Sequence, residues 1–281
     1  MHRRTFLRGS AGAIAGLTVA GTASAQDGGV VRIGSDIPYR PFEYRTTTGN
    51  LVGFDVDIAE AIFQGQLDRN YEFVQTSFDT IIPSLNNGNF RVIMSAMTIT
   101  EERAQQVDFS DPYFTAYQTV LILKNSGINN LQDLRGQTVA VQKGTTGEAA
   151  AQQLKRRFNG NLTIDSYDQI PDAFAALGNN QAAAVINDNT VNAEFAQQND
   201  QVTLLKGEGV AARQGREDAP PYLTLTVEEY GIAFRKNDDQ FRQRVNEALA
   251  TIRENGTYDR IYSEYFESAS GTTTSGGTTS G

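Results

Sequence analysis

No cysteine occurs among the 281 residues, and the only histidine is His2. Without cysteine there are no disulfides and no thiolate nucleophiles. With histidine confined to position 2, Ser-His-Asp triads and His/Cys metal sites are excluded from the rest of the chain. Lysine is scarce too: five of 24 basic residues, set against 33 acidic ones, for a formal charge of −9. So acidic a chain is a poor partner for nucleic acid. Long apolar runs are missing. The weakly apolar stretch 11–23 is too short and too rich in Gly and Thr to span a membrane.

Arg3 and Arg4, followed by Phe6, Leu7 and that stretch, read as a twin-arginine export signal over residues 1–25. Ala23-Ser24-Ala25 is a small-residue cleavage site, which places the mature start near Gln26. An exported product without cysteine cannot be lipidated through one. Loss of residues 1–25 takes the formal charge from −9 to −12, and an acidic, lysine-poor product suits a salty exterior. At the other end, residues 268–281 contain only Ser, Gly, Thr and Ala and are expected to form a disordered tail. What lies between is long enough for two lobes.

Strand and helix patterns alternate along the chain. A β-branched run at 30–35 ends in Asp36, followed by a turn-rich segment holding Tyr39, so both residues stand at a strand's C-terminal end. In open α/β sheets that is the edge where ligands bind. Val56, Ala59, Ile62 and Phe63 recur at helical spacing, with Asp55 and Asp57 read as first-turn charges. A strand over 71–76 leads to a helix opened by Phe78, in which Pro83 fits only near the first turn. Phe78 reads equally as core or as a ligand contact. A strand at 92–96 follows.

Residues 97–113 hold the most informative stretch. Thr100 is placed as a helix N-cap, with Glu101 and Glu102 in the first turn, where carboxylates suit the helix dipole. Arg103 is out of place there. Either it pairs with Glu101, Glu102 or Asp108 on a solvated face, or it forms an anion cradle with the helix N-terminus.

The pattern then repeats. A strand at 117–124, a helical turn at 131–136 and a strand at 138–142 precede the Lys143–Glu148 loop, where Thr145 and Glu148 fit a capping box and free NH groups and the hydroxyls of Thr145 and Thr146 face an anion. No Gly-Lys-Ser/Thr closes this loop, so it is not a nucleotide P-loop. A helix at 172–178 and a strand at 182–186 deliver Asn187 and Asp188; the bland reading of Asp188 is an Asx turn. Residues 208–221 read as a surface loop, 230–234 as a strand returning the chain to the first lobe, and 241–252 and 258–266 as closing helices.

Gly53-Phe54-Asp55-Val56-Asp57-Ile58-Ala59, Phe78-Asp79-Thr80-Ile81-Ile82-Pro83-Ser84-Leu85, the whole of 97–113, residues 133–147, Tyr230-Gly231-Ile232-Ala233-Phe234 and Asn255-Gly256-Thr257-Tyr258-Asp259 occur in this order. Together they make residues 30–267 resemble the extracytoplasmic (periplasmic-type) amino-acid-binding proteins of ABC importers, family 3 of the solute-binding proteins. The resemblance implies an α/β, two-lobed, type II periplasmic-binding-protein-like fold with two hinge-crossing strands and ligand in the interlobe cleft. Lobe one would be 30–116 with 229–267, and lobe two 117–228.

By the same resemblance, Arg103 grips the ligand's carboxylate and Asp188 its ammonium group, Thr98 and Thr146 offer hydroxyls, and Ala96 binds through its main chain. Tyr39 and Phe78 would wall the ligand side chain and Asp36 would stand near its tip. Gln142 and Asn187 fall where residues vary with ligand. The implied function is binding a polar or basic amino acid (glutamine, arginine, lysine or histidine) outside the cytoplasm, as a monomer without cofactor or metal, and delivering it to an ABC permease. Two alternatives share the fold: a cyclohexadienyl (arogenate/prephenate) dehydratase using Asp188 or Asp36 as acid, and a ligand-binding sensor. Arg91 and Ala183 depart from the family's usual aspartate before two strands, which implies altered local packing behind the cleft.

Overall fold

The computed structural model describes residues 29–217 and 219–266. The signal over 1–25, the mature start near Gln26 and the tail 268–281 lie outside the described residues. β1 (Val31–Ser35) opens the first lobe, and the ribbon β2 (Tyr44–Arg45) and β3 (Leu51–Val52) leads to α1 (Phe54–Ala59). Gly53 starts that helix at φ 138, and a Cβ there would lie 2.1 Å from the Phe42 carbonyl oxygen. Only glycine fits. The helix continues in π geometry over Glu60–Gln66, which the apolar spacing did not reveal.

β4 (Tyr71–Gln75), α2 (Phe78–Asn86), β5 (Val92–Ile93), α3 (Glu101–Ala104) and β6 (Val107–Phe109) follow. β5 is shorter than the expected 92–96 strand because the chain turns at Ala96, whose φ is +45. Pro83 lies in the sixth position of α2 and not in its first turn, so the short helix does without one backbone hydrogen bond near its end.

β7 (Phe114–Leu123) leaves this lobe and enters the second, where β8 (Thr138–Gln142), α4 (Thr146–Arg157), β9 (Thr163–Tyr167), α5 (Ile170–Gly178), β10 (Ala184–Asp188), α6 (Asn189–Gln198) and β11 (Val202–Leu204) follow. The segment expected to be a surface loop contains a one-turn helix, α7 (Val210–Arg213). It is pinned by Ala211, which is fully buried and donates its N–H to the Thr224 hydroxyl at 3.0 Å. The chain returns along β12 (Thr224–Tyr230). The expected 230–234 strand is therefore two strands: Tyr230 ends β12, and β13 (Ala233–Arg235) begins after Gly231 and Ile232. α8 (Asp239–Glu254) and α9 (Thr257–Phe266) pack back on the first lobe.

The strand order is β4-β1-β5-β13-β6 in the first sheet and β11-β7-β10-β8-β9 in the second, with β12 pairing the early part of β7. β7 and β12 are the crossing strands: Tyr230 still bridges Thr98 in lobe one, while Thr224 pairs Thr119 in the second sheet. The fold is the two-lobed α/β one. β1 with β5, and β8 with β10, run parallel, so their C-terminal ends face one cleft. Arg91 lies behind it, with its guanidinium 3.0 and 3.1 Å from the Asp238 carboxylate and 3.6 Å over the Phe241 ring. Ala183 simply donates its N–H to Thr138 O at 2.8 Å.

Candidate functional site

All eleven residues singled out from sequence line a single closed cleft between the lobes: Asp36, Tyr39, Phe78, Ala96, Thr98 and Arg103 from the first, Gln142, Thr145, Thr146, Asn187 and Asp188 from the second. The lobes are shut tightly on each other here, and the free cavity volume is about 10 Å³. Ser95 and Gln118 also line it, and neither was found from sequence. Gln118 left a faint signal as a polar residue inside an apolar strand.

Thr100 caps α3 as expected, its hydroxyl accepting from the Arg103 N–H at 3.2 Å. Arg103 is buried and does not pair with Glu101, Glu102 or Asp108; Asp108 instead pairs with Lys236 at 2.8 Å. The guanidinium turns inward, donating to Thr98 O at 2.8 Å and across the cleft to Gly144 O at 3.1 Å, and lies over the Phe78 ring. Phe78 thus both touches the core and borders the cleft. Burial lowers the Arg103 pKa from its usual value, opposed first by the charge of Glu228 and then by that of Asp188.

The capping box on α4 is shifted by one residue. Thr145 Oγ1 accepts from the Glu148 N–H at 3.2 Å, but the Glu148 carboxylate accepts from Gly144 N at 2.8 Å and not from the N-cap. Thr145 also donates to Gln142 O at 2.7 Å, and the Thr98 and Thr146 hydroxyls meet across the cleft at 3.4 Å.

Asp188 ends β10 and precedes α6, yet its side chain makes no cap bond to that helix. It is no Asx turn. Its Oδ2 accepts from Tyr39 OH at 2.6 Å and from Tyr230 OH at 2.7 Å, and its Oδ1 accepts from the Gln118 side chain. Burial, followed by the charge of Glu228, pushes its pKa up to about 7, against the hydrogen bonds and the Arg103 charge that lower it. The sequence pattern marks Tyr230 only as part of a strand and carries no signal for Glu228.

At the far side, Gln142 donates to Asp36 Oδ2, and Asp36 N donates to Ser95 Oγ at 2.9 Å. Asp36 Oδ1 is buried without a partner, as are Asn187 Nδ2 and Gln118 Oε1. Burial pushes the Asp36 pKa up to about 6, against the neighbouring side-chain amides of Gln142 and Gln169, the latter donating to Ile37 O at 3.1 Å. A buried carboxylate oxygen in that condition is an acceptor for a ligand donor.

Behind the cleft, Asp55 accepts from Ala96 N at 2.8 Å and from Tyr113 OH at 2.9 and 3.0 Å, so this first-turn acid anchors the turn that presents Ala96. A cation on one lobe and an anion on the other, each largely desolvated, suit a small zwitterion that bridges them.

A family model described as "Bacterial extracellular solute-binding proteins, family 3" matches residues 31–268. This chain belongs to that family. Among relatives of this solute-binding protein, the "Probable histidine-binding protein" of Neisseria gonorrhoeae is 34% identical over 256 residues, covering 90% of this chain and 88% of the relative. The "ABC transporter arginine-binding protein 1" of Escherichia coli K12 is 30% identical over 253 residues, covering 90% and 97%. A solved structure titled "An ancestral arginine-binding protein bound to arginine" superposes on the solute-binding protein with a TM-score of 0.74 at 36% identity, covering 85% and 98%.

Proposed function

We propose that this solute-binding protein captures an amino acid with a cationic side chain outside the cytoplasm and delivers it to an ABC permease. The ligand carboxylate goes to Arg103 and its ammonium to Asp188, with the hydroxyls of Thr98 and Thr146 and the main chain at Ala96 around its backbone. The side chain runs between Tyr39 and Phe78 toward Asp36, Gln142 and Asn187. The observation that carries this reading is Asp36 Oδ1, a buried carboxylate oxygen in the cleft with no partner of its own. A guanidinium, ammonium or imidazolium would satisfy it, whereas a carboxylate side chain would be repelled. Export by the twin-arginine route and cleavage near Gln26 belong to the same reading, as do a monomeric state and lobes at 30–116 with 229–267 and at 117–228.

Titration calorimetry against the twenty amino acids tests this. Arginine, lysine or histidine should bind with micromolar or tighter affinity, about 8 kcal/mol or more, and glutamine more weakly. No binding below about millimolar for any amino acid, roughly 4 kcal/mol, would sink the proposal. The dehydratase alternative predicts phenylalanine or phenylpyruvate from arogenate or prephenate. The relatives described above carry the names of binding proteins, which favours transport. The sensor alternative shares this ligand site and differs only in the partner that receives the closed form.

A further inference from the structure

We propose that Glu228 is a third charge of the clamp, a positioning residue on a crossing strand that sets the acid limit of ligand binding by acting on Asp188. This rests on the reading that Asp188 holds the ligand's ammonium group.

Successive side chains on a strand point to opposite faces, so Thr226, Glu228 and Tyr230 share one face of β12. The antiparallel register sets them opposite Gln118, Ala116 and Phe114 of β7. Gln118 and Tyr230, on that shared face, both donate to the Asp188 carboxylate. Glu228 therefore stands on the clamp side of the crossing strands.

It is 4% exposed. One carboxylate oxygen accepts from the Thr226 hydroxyl, and Oε2 is buried with no partner. A carboxylate so placed without a bonded cation is costly unless nearby charge compensates it. Compensation comes from Arg103, on which Glu228 is the foremost charged neighbour.

The charged and titratable groups around the pair come from every neighbouring element. α3 contributes Arg103 and, beyond it, Glu102. The loop after β1 contributes Tyr39, and β12 itself contributes Tyr230. α7, packed on β12, offers Arg213, but that side chain donates to Glu208 O at 3.0 Å. Tyr117, with Arg216 over its ring, is opposite Val227, and alternation turns that pair to the other face.

Two anions thus bracket one guanidinium. On Asp188 the charge of Glu228 outweighs that of Arg103, and the ligand's ammonium supplies the balance. The like charge of Glu228 disfavours the ionised form of Asp188. Asp188 then takes up a proton at a higher pH than it otherwise would, and a protonated Asp188 cannot hold an ammonium ion.

The test uses the full mature chain and two readouts. In the ligand-free protein, ¹³C NMR follows the Asp188 carboxyl through a pH titration, with D188N used to assign the signal. E228Q keeps the shape and the Thr226 partner while removing the charge, and should move the midpoint to lower pH. E228D should titrate like wild type, and T226V should leave the midpoint in place.

Calorimetry with L-arginine at pH 6 and 8 should show about a tenfold loss of wild-type affinity on acidification, from protonation of Asp188. E228Q should lose less, and comparing both proteins at one pH cancels the contribution of Asp36. An unmoved NMR midpoint in E228Q, or an equal shift in T226V, overturns the inference. If L-arginine and the other amino acids fail to bind wild type, the functional reading falls, while the NMR titration still decides the role of Glu228.

Discussion

Arg103→Ala is expected to abolish measurable amino-acid binding and to leave the fold intact. The guanidinium spends two of its five N–H donors on the carbonyls of Thr98 and Gly144. Among the described residues no carboxylate is within ion-pairing distance of it, although Glu228 and then Asp188 are the foremost charges acting on it. The remaining donors form a fork that matches a carboxylate. Alanine would leave the ligand's carboxylate desolvated and unpaired, at roughly 2–5 kcal/mol, or on the order of 30-fold to several-thousand-fold in affinity. Lysine keeps the charge but loses the bidentate geometry, so Arg103→Lys should fall between the two. The backbone of α3 stays capped by Thr100, so calorimetric unfolding of Arg103→Ala should remain within a few degrees of wild type. An affinity within threefold of wild type would return Arg103 to a structural role.

The cap at Thr100 was legible because its spacing to Arg103 is local. Where the guanidinium goes was not, because its partners Thr98 O and Gly144 O belong to two lobes. The two-lobed architecture and its cleft were legible because several family blocks occur in one order, and each site residue quoted from those blocks reached the cleft. Asp36, Tyr39, Ala96, Asn187 and Asp188 lie outside those blocks, at or just past strand ends, and reach it too, whereas Tyr230, inside one, reads in the sequence only as strand. Gln118 and Glu228 lie on crossing strands, where strand alternation marks the face but not what that face meets. The polar segment of α6 gave no clear periodic signal, so a helix following Asp188 was not expected. Asp55 shows the same limit from the other side. A carboxylate in a first turn reads as a dipole partner, and only contacts 41 and 58 positions along the chain turn it into a buried anchor.

That anchor carries the second large effect, and its sign depends on pH. Asp55 and Glu43 are both fully buried, and burial raises both carboxyl groups above their usual range, with the charge of Asp55 raising Glu43 further. Glu43 accepts from Ser95 Oγ at 2.8 Å, and the same oxygen receives Asp36 N, so the pair supports both strand ends of the cleft. Asp55→Ala would leave Ala96 N–H and Tyr113 OH without their acceptor, at about 1–3 kcal/mol for each buried group. A loss of roughly 2–4 kcal/mol overall should lower Tm on the order of 5–15 °C. It would also release Ala96 from a backbone conformation that non-glycine residues seldom hold, at φ +45, and loosen the cleft wall with it. Asp55→Asn behaves differently, because it keeps an acceptor and carries no charge. A folded-state pKa above the ordinary 3.8 means that the native protein binds more protons than the unfolded chain over the interval between the two values. Wild-type stability from this group is therefore full below about pH 4 and is lost as pH rises toward and through the raised value. Denaturant unfolding should accordingly find Asp55→Asn close to wild type at pH 4 and more stable than wild type at pH 8. A variant that is equally destabilised at both pH values would mean that Asp55 stays ionised in the fold, held by its two donors alone.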